Sequence, residues 1–177
     1  MKSIKFSILF LSLFVLLMAS CITDNSTNFL IDWKNKNDIF FANMKDSTGY
    51  TLDSVPSGSG GGSFYYKVIT PGDPKSISPR EGGQVMLDYR GKMINGVPFA
   101  QNYTGATVPP DSTATPSGFA MHQLPVDGLI WNLIQMKVGE IRFIVLPQQL
   151  GYGPGDWETI LPFSTTLWVV KLVKVNY

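Results

Sequence analysis

Along the chain, apolar and polar positions change their spacing three times. "FLIDWKNKNDIFFANMK" places Leu30, Trp33, Asn37, Phe40, Phe41 and Met44 at three- and four-residue intervals, which predicts an amphipathic helix. Its stripe needs a cover, supplied by the rest of the chain, a partner or a membrane surface. "DSVPSGSGGGS" has the composition of a flexible linker. From Phe64 the spacing becomes that of strands, in "SFYYKVIT" and "GGQVMLDYRGKM", and the Asn-Gly of "KMINGVPFA" is suited to the centre of a tight hairpin. "VDGLIWNLIQMKVGE" predicts one short helix with Asp127 as N-cap, Leu129, Leu133 and Met136 on one face, and Gly139 as the stop. "EIRFIVLP" and "TTLWVVKLVKV" alternate as strands, the second bringing Trp168, Val170 and Leu172 to one side. Several antiparallel strands with a single helix available to cover them define an α+β fold.

One segment breaks the rule that loops are polar. "LGYGPGDWETILPF" has the glycines and prolines of a loop, yet carries Tyr152, Trp157, Ile160, Leu161 and Phe163. Either it folds back as a plug on the core or it forms one wall of a pocket.

At the amino end, "MKSIK" precedes the apolar run "FSILFLSLFVLLM", which has the anatomy of a secretory signal and is short for a membrane span. The run ends in "LMASC", and Cys21 is the only cysteine, so no disulfide forms within the chain. The small residues before it resemble the lipobox of bacterial lipoproteins, with Met18 where leucine is usual. That resemblance implies cleavage before Cys21 and an acyl anchor to the membrane. The expected organisation is therefore a signal over 1–20, an acylated cysteine, helix and linker over 21–63, and a folded domain over 64–177.

Charge and metal-ligand inventory narrow the function classes. Removing Lys2 and Lys5 with the signal leaves 12 basic against 13 acidic residues, with no dense basic run for nucleic acid. His122 is the only histidine, which excludes a site built on several histidines and leaves a Ser-His system little support. Asp73 and Asp88 flank strands without a spaced carboxylate partner and read as solvated. "SGSGGGS" is not a phosphate loop, since no Lys-Ser or Lys-Thr pair follows. No metal or cofactor is implied.

The order "YKVITPGD", "GGQVMLDYRGKMINGVPF", "VDGLIWNLIQMKVGEIRFIVLP", "LGYG" and "ILPFSTTLWVVKLVKV" resembles the FK506-binding-protein family of peptidyl-prolyl cis-trans isomerases, from Phe64 to the end. The resemblance implies a twisted antiparallel sheet wrapped around one short helix, here with an N-terminal helical extension, and an aromatic pocket for a proline ring. Carried over by position, Tyr89, Phe99, Phe119, Leu129, Trp157, Ile160 and Trp168 fall on substrate-binding positions, with Val169 as the alternative to Trp168 in a shifted register. The main-chain N–H of Val126, the hydroxyl of Tyr152 and the ring of Phe99 take the catalytic contacts. Proline-containing exported polypeptides are the implied partners; oligomeric state is left open. Three departures stand out: Ala100 replaces a usual aspartate, Leu129 replaces a common tryptophan with Trp131 directed elsewhere, and "AQNYTGATVPPDSTATPSG" lengthens the link to Phe119. They make a binding module of the same fold the alternative to an enzyme.

Overall fold

The apolar C-terminal strand organises the molecule. In the computed structural model, which describes residues 26–110 and 115–176, that strand is the longest, and it lies between two others in the middle of the sheet. The strands are β1 (Thr51–Val55), β2 (Gly62–Thr70), β3 (Gln84–Met93), β4 (Pro98–Gln101), β5 (Ser117–Ala120), β6 (Ile141–Leu146) and β7 (Thr166–Asn176). All pair antiparallel in the order β1-β2-β6-β7-β3-β4, with β5 also pairing to β3. Helix α1 runs through residues 26–43, and α2 spans Asp127–Leu133. The signal segment and Cys21 lie outside the described residues, among which no helix is long and apolar enough to cross a membrane.

Register sorts side chains by face. Tyr89 lies opposite Val170 and Gly91 opposite Trp168, so Leu87, Tyr89, Trp168, Val170 and Leu172 share the face on which Leu129 and Leu133 of α2 pack, with Met136 just beyond the helix. Trp168 rather than Val169 turns inward. The helix ends at Leu133, before Gly139, as the N–H groups of Gln135 and Met136 bond three residues back, to the carbonyls of Asn132 (3.1 Å) and Leu133 (3.0 Å); farther on, Ser76 Oγ accepts from the N–H of Val138 (2.9 Å), and the Val138 carbonyl accepts from the N–H of Asp73 (2.8 Å). Gly139, at φ 87°, instead turns the chain into β6. The N-cap is Val126, in extended conformation, and Asp127 is the first helical residue, where its negative charge faces the positive helix end.

A buried polar network ties α2 to β6. Arg142 pairs with Glu140, reaches Asn132 Oδ1 at 3.4 Å and lies 4.4 Å from the centroid of the Tyr66 ring, while the Asn132 amide donates to the Gly128 carbonyl at 2.9 Å. Every member has a partner, as burial of charge requires. Asp88 is also buried, contrary to its solvated reading. It faces outward on β3 in register with Lys171, so an opposite charge lies across the strand pair. Asp73 remains exposed and accepts from the N–H of Lys75.

The N-terminal helix docks on the outer face and end of this sheet. Trp33 packs with Met93 and Ile160, and its indole N–H donates to Ser164 Oγ (3.1 Å); Asn37 Oδ1 accepts from the N–H of Thr165 (2.7 Å). Phe40, Phe41 and Met44 cover Tyr65, Val145 and Leu167. The Gly/Ser stretch read as a linker forms the connection of the β1–β2 hairpin. Val55 before it and Phe64 after it are both drawn into the main core, which closes the chain between them. The sheet therefore begins upstream of Phe64.

Candidate functional site

Three elements converge on one cavity. Sheet strands supply Leu87 and Tyr89 from β3, Ala100 from β4, Phe119 from β5 and Trp168 from β7. The entry to α2 supplies Leu124, Pro125, Val126 and Leu129, and the loop after β6 supplies Tyr152. Together they enclose about 180 Å³. No lining residue is charged, so polar contacts are limited to the Tyr89 and Tyr152 hydroxyls and the main chain.

The ring arrangement is edge to face throughout. Tyr89 meets Phe119 at 5.4 Å between centroids, Phe99 meets Trp168 at 5.2 Å and Tyr152 at 5.6 Å, and Tyr152 meets Trp157 at 5.5 Å. Such pairs hold rigid apolar area in place. Gly91 makes one of them possible: a Cβ there would stand 2.8 Å from both the Phe99 ring and the Trp168 indole. The Trp168 N–H is satisfied by Thr166 Oγ1 at 3.1 Å.

Of the residues singled out by sequence, Tyr89, Phe119, Val126, Leu129, Tyr152 and Trp168 line the cavity together. Phe99 stands beside them, between Tyr152 and Trp168. Ile160 belongs to the cluster behind, with Trp33 and Met93, and supports Phe99 and Tyr152 from the rear. Trp157 is 47% exposed and sits at the rim against Tyr152. The apolar loop is thus divided between wall and plug. Trp131 points away, into a separate cavity with Val55, Met121 and His122.

Two features had not been singled out. Leu87, Leu124 and Pro125 line the cavity without any motif to mark them. Asn102, just past β4, takes the place of a strand residue beside β3. Its Oδ1 accepts from the N–H of Tyr89 (2.8 Å), its own N–H donates to the Tyr89 carbonyl (3.1 Å), and its amide nitrogen donates to the carbonyls of Leu87 (2.9 Å) and Thr115 (3.0 Å). It is a positioning residue for Tyr89. An asparagine closing a short strand is the only local signal for it.

Val126 lies at the N-cap of α2, its carbonyl accepting from Leu129 and Ile130 while its own N–H precedes the helical ladder. Burial, reinforced by neighbouring Tyr89, pushes the Tyr152 hydroxyl up to about 12. A raised value keeps the proton on oxygen below that pH, so Tyr152 is a hydrogen-bond donor throughout the neutral range. Activity that depends on this donor is expected to show no loss from Tyr152 ionisation between about pH 6 and about pH 10. The check is kcat/KM for a proline peptide across that range, compared with Tyr152→Phe; a decline near pH 10 present only in the native chain would contradict it.

An uncharged aromatic cavity between a twisted antiparallel sheet and a short helix defines the class. Residues 75–173, more than half the chain, match the family model of the FKBP-type peptidyl-prolyl cis-trans isomerase, and the chain belongs to that family. It is 28% identical over 111 residues to the FKBP-type peptidyl-prolyl cis-trans isomerase FkpA of Escherichia coli, covering 63% of this chain and 37% of FkpA. It is 30% identical over 112 residues to the peptidyl-prolyl cis-trans isomerase Mip of Coxiella burnetii, covering 63% of this chain and 44% of Mip. The chain thus spans less than half the length of either curated relative. Its fold is shared with the crystal structure of FkpA from Escherichia coli, at TM-score 0.70 and 21% identity over 99% of this chain and 74% of that one. It is shared also with a peptidyl-prolyl cis-trans isomerase from Pseudomonas syringae, at TM-score 0.62 and 22% identity over 81% and 92%.

Proposed function

We propose that this chain catalyses cis-trans isomerisation of X–Pro bonds in exported polypeptides and is held at a membrane by acyl chains on Cys21. The observation that carries the catalytic reading is the cavity whose lining has no charged side chain. Isomerisation breaks and forms no covalent bond. It must lower a barrier of about 18–20 kcal/mol set by amide resonance, and the twisted amide at the top is less polar than either planar isomer. An apolar enclosure favours that twisted form over the planar ones, the differential that accelerates a reaction.

In this reading the proline ring enters between Tyr89, Phe119 and Trp168. The Tyr152 hydroxyl and the Val126 N–H donate to carbonyls flanking the ring, fixing the chain while the amide rotates. Phe99 and Trp157 hold Tyr152 in place. The signal-like amino end and the small residues before Cys21 support export and acylation.

A second reading follows from Ala100, a methyl group in the cavity wall at the position that carries a carboxylate in active relatives by the resemblance. It is a binding module that holds proline segments with little turnover. The two are separated by isomerisation of a Leu-Pro or Phe-Pro peptide by the native chain and Ala100→Asp. One restored polar contact is worth about 1–3 kcal/mol, so the enzyme reading expects native turnover above background and a gain of roughly tenfold in Ala100→Asp. Background rates in both, with retained peptide binding, would replace the enzyme by the binding module.

A further inference from the structure

The reverse face of the sheet carries a second, differently built cavity of about 240 Å³. Register makes its floor: Arg90 lies opposite Val169, which lies opposite Phe143, which lies opposite Lys67; in the next row Lys92 lies opposite Leu167, then Val145. Phe40 of α1 forms one wall and Thr107 the other. An apolar strip is therefore bordered by two cations that line the cavity, Arg90 and Lys92, with Lys67 one strand beyond Phe143. Arg90 is held in place by the Thr107 carbonyl (3.3 Å) and by the Tyr103 ring (5.2 Å from its centroid), and Lys67 sits 5.9 Å from the centroid of Tyr50. The neighbouring acid on this face, Asp88, is in register with Lys171.

We propose that this groove binds a polypeptide segment in which an apolar side chain stands next to aspartate or glutamate. Charge complementarity sets the acid: the cations border the apolar floor, and an incoming carboxylate meets Lys92 or Arg90 as its neighbour covers Val169 and Phe143. Size sets the rest. The volume is below the roughly 300–1,000 Å³ of small-molecule sites and suits one or two side chains more than a long acyl chain. The groove's lining shares only Trp168 with the inner cavity, and the proposal is independent of what that cavity binds. Arg90 follows Tyr89, and Val169 follows Trp168, so the two sites lie back to back through β3 and β7.

The test is fluorescence anisotropy of the full chain with a labelled, proline-free peptide alternating Asp or Glu with Leu or Phe. Binding is expected to weaken at least about tenfold in Lys92→Glu and in Arg90→Gln and to fall with added salt. It is expected to be lost when the acids of the peptide are replaced by lysine, and to be unchanged in Phe119→Leu of the inner cavity. Lys92 is half-buried at the groove border, and circular dichroism of Lys92→Glu confirms that the variant is folded. Equal affinity for acidic and basic peptides, indifference to Lys92→Glu, or loss in Phe119→Leu would each overturn the proposal. So would binding of palmitate in place of the peptide, which would make the groove an acyl site.

Discussion

Trp168→Ala is expected to weaken proline-peptide binding by at least about tenfold and to cost roughly 3–5 kcal/mol of stability. The indole is buried, lines the cavity, meets Phe99 edge to face and donates to Thr166 Oγ1, so its removal opens the floor and frees the neighbouring ring. Two measurements separate these effects: a peptide titration well below the melting range, and denaturant unfolding of the same variant. Trp168→Phe keeps an aromatic floor and should recover most of the affinity. If Trp168→Ala is destabilised yet binds the peptide as the native chain does, the inner cavity is core and not a binding site.

The second large effect concerns the amino-terminal extension. A chain starting at Phe64 would lack Trp33, Met44 and Val55, each buried in the structure, and would uncover Ile160, Tyr65 and Val145. At about 1.5–3 kcal/mol per fully buried large side chain, the loss is on the order of 5 kcal/mol, comparable with the whole stability of many domains. Such a truncation is expected to melt at much lower temperature or without a cooperative transition. Trp33→Ala provides the graded version, because it removes the contact with Ile160 and the bond to Ser164 while leaving the hairpin intact. A truncated domain as stable as the full chain would show that the docked helix contributes nothing to folding.

This dependence was not visible in composition, and the reason is physical. The hairpin turn between Val55 and Phe64 is rich in Gly and Ser, the same residues a free linker uses, and most of β1 is exposed, so alternation is weak. Where one face of a strand is deeply buried the pattern reads clearly, as with Trp168, Val170 and Leu172. The helix stripe of Trp33, Asn37 and Met44 was equally clear, but its cover was not, since the partner surfaces lie more than a hundred residues away for Trp33 and Asn37. The segment between α2 and β6 has a similar origin, since Ser76 and Asp73 of a distant loop take the backbone groups of Val138. At the site, the motif-bearing residues Tyr89, Phe119, Val126, Tyr152 and Trp168 were identified in sequence and meet in space. Ile160 instead packs at the rear with Trp33, a residue that lies outside the stretch carrying the family resemblance.

The contact at Gly91 has a consequence for how this chain can diversify. Since any side chain at that position collides with two rings at once, a change there requires both Phe99 and Trp168 to give way, and shrinking either of them first leaves a void. Single substitutions in any order pass through a damaged intermediate. Glycine, phenylalanine and tryptophan at positions 91, 99 and 168 therefore form a block that descendants of this chain inherit or lose together, even though Trp168 is remote in sequence from the other two.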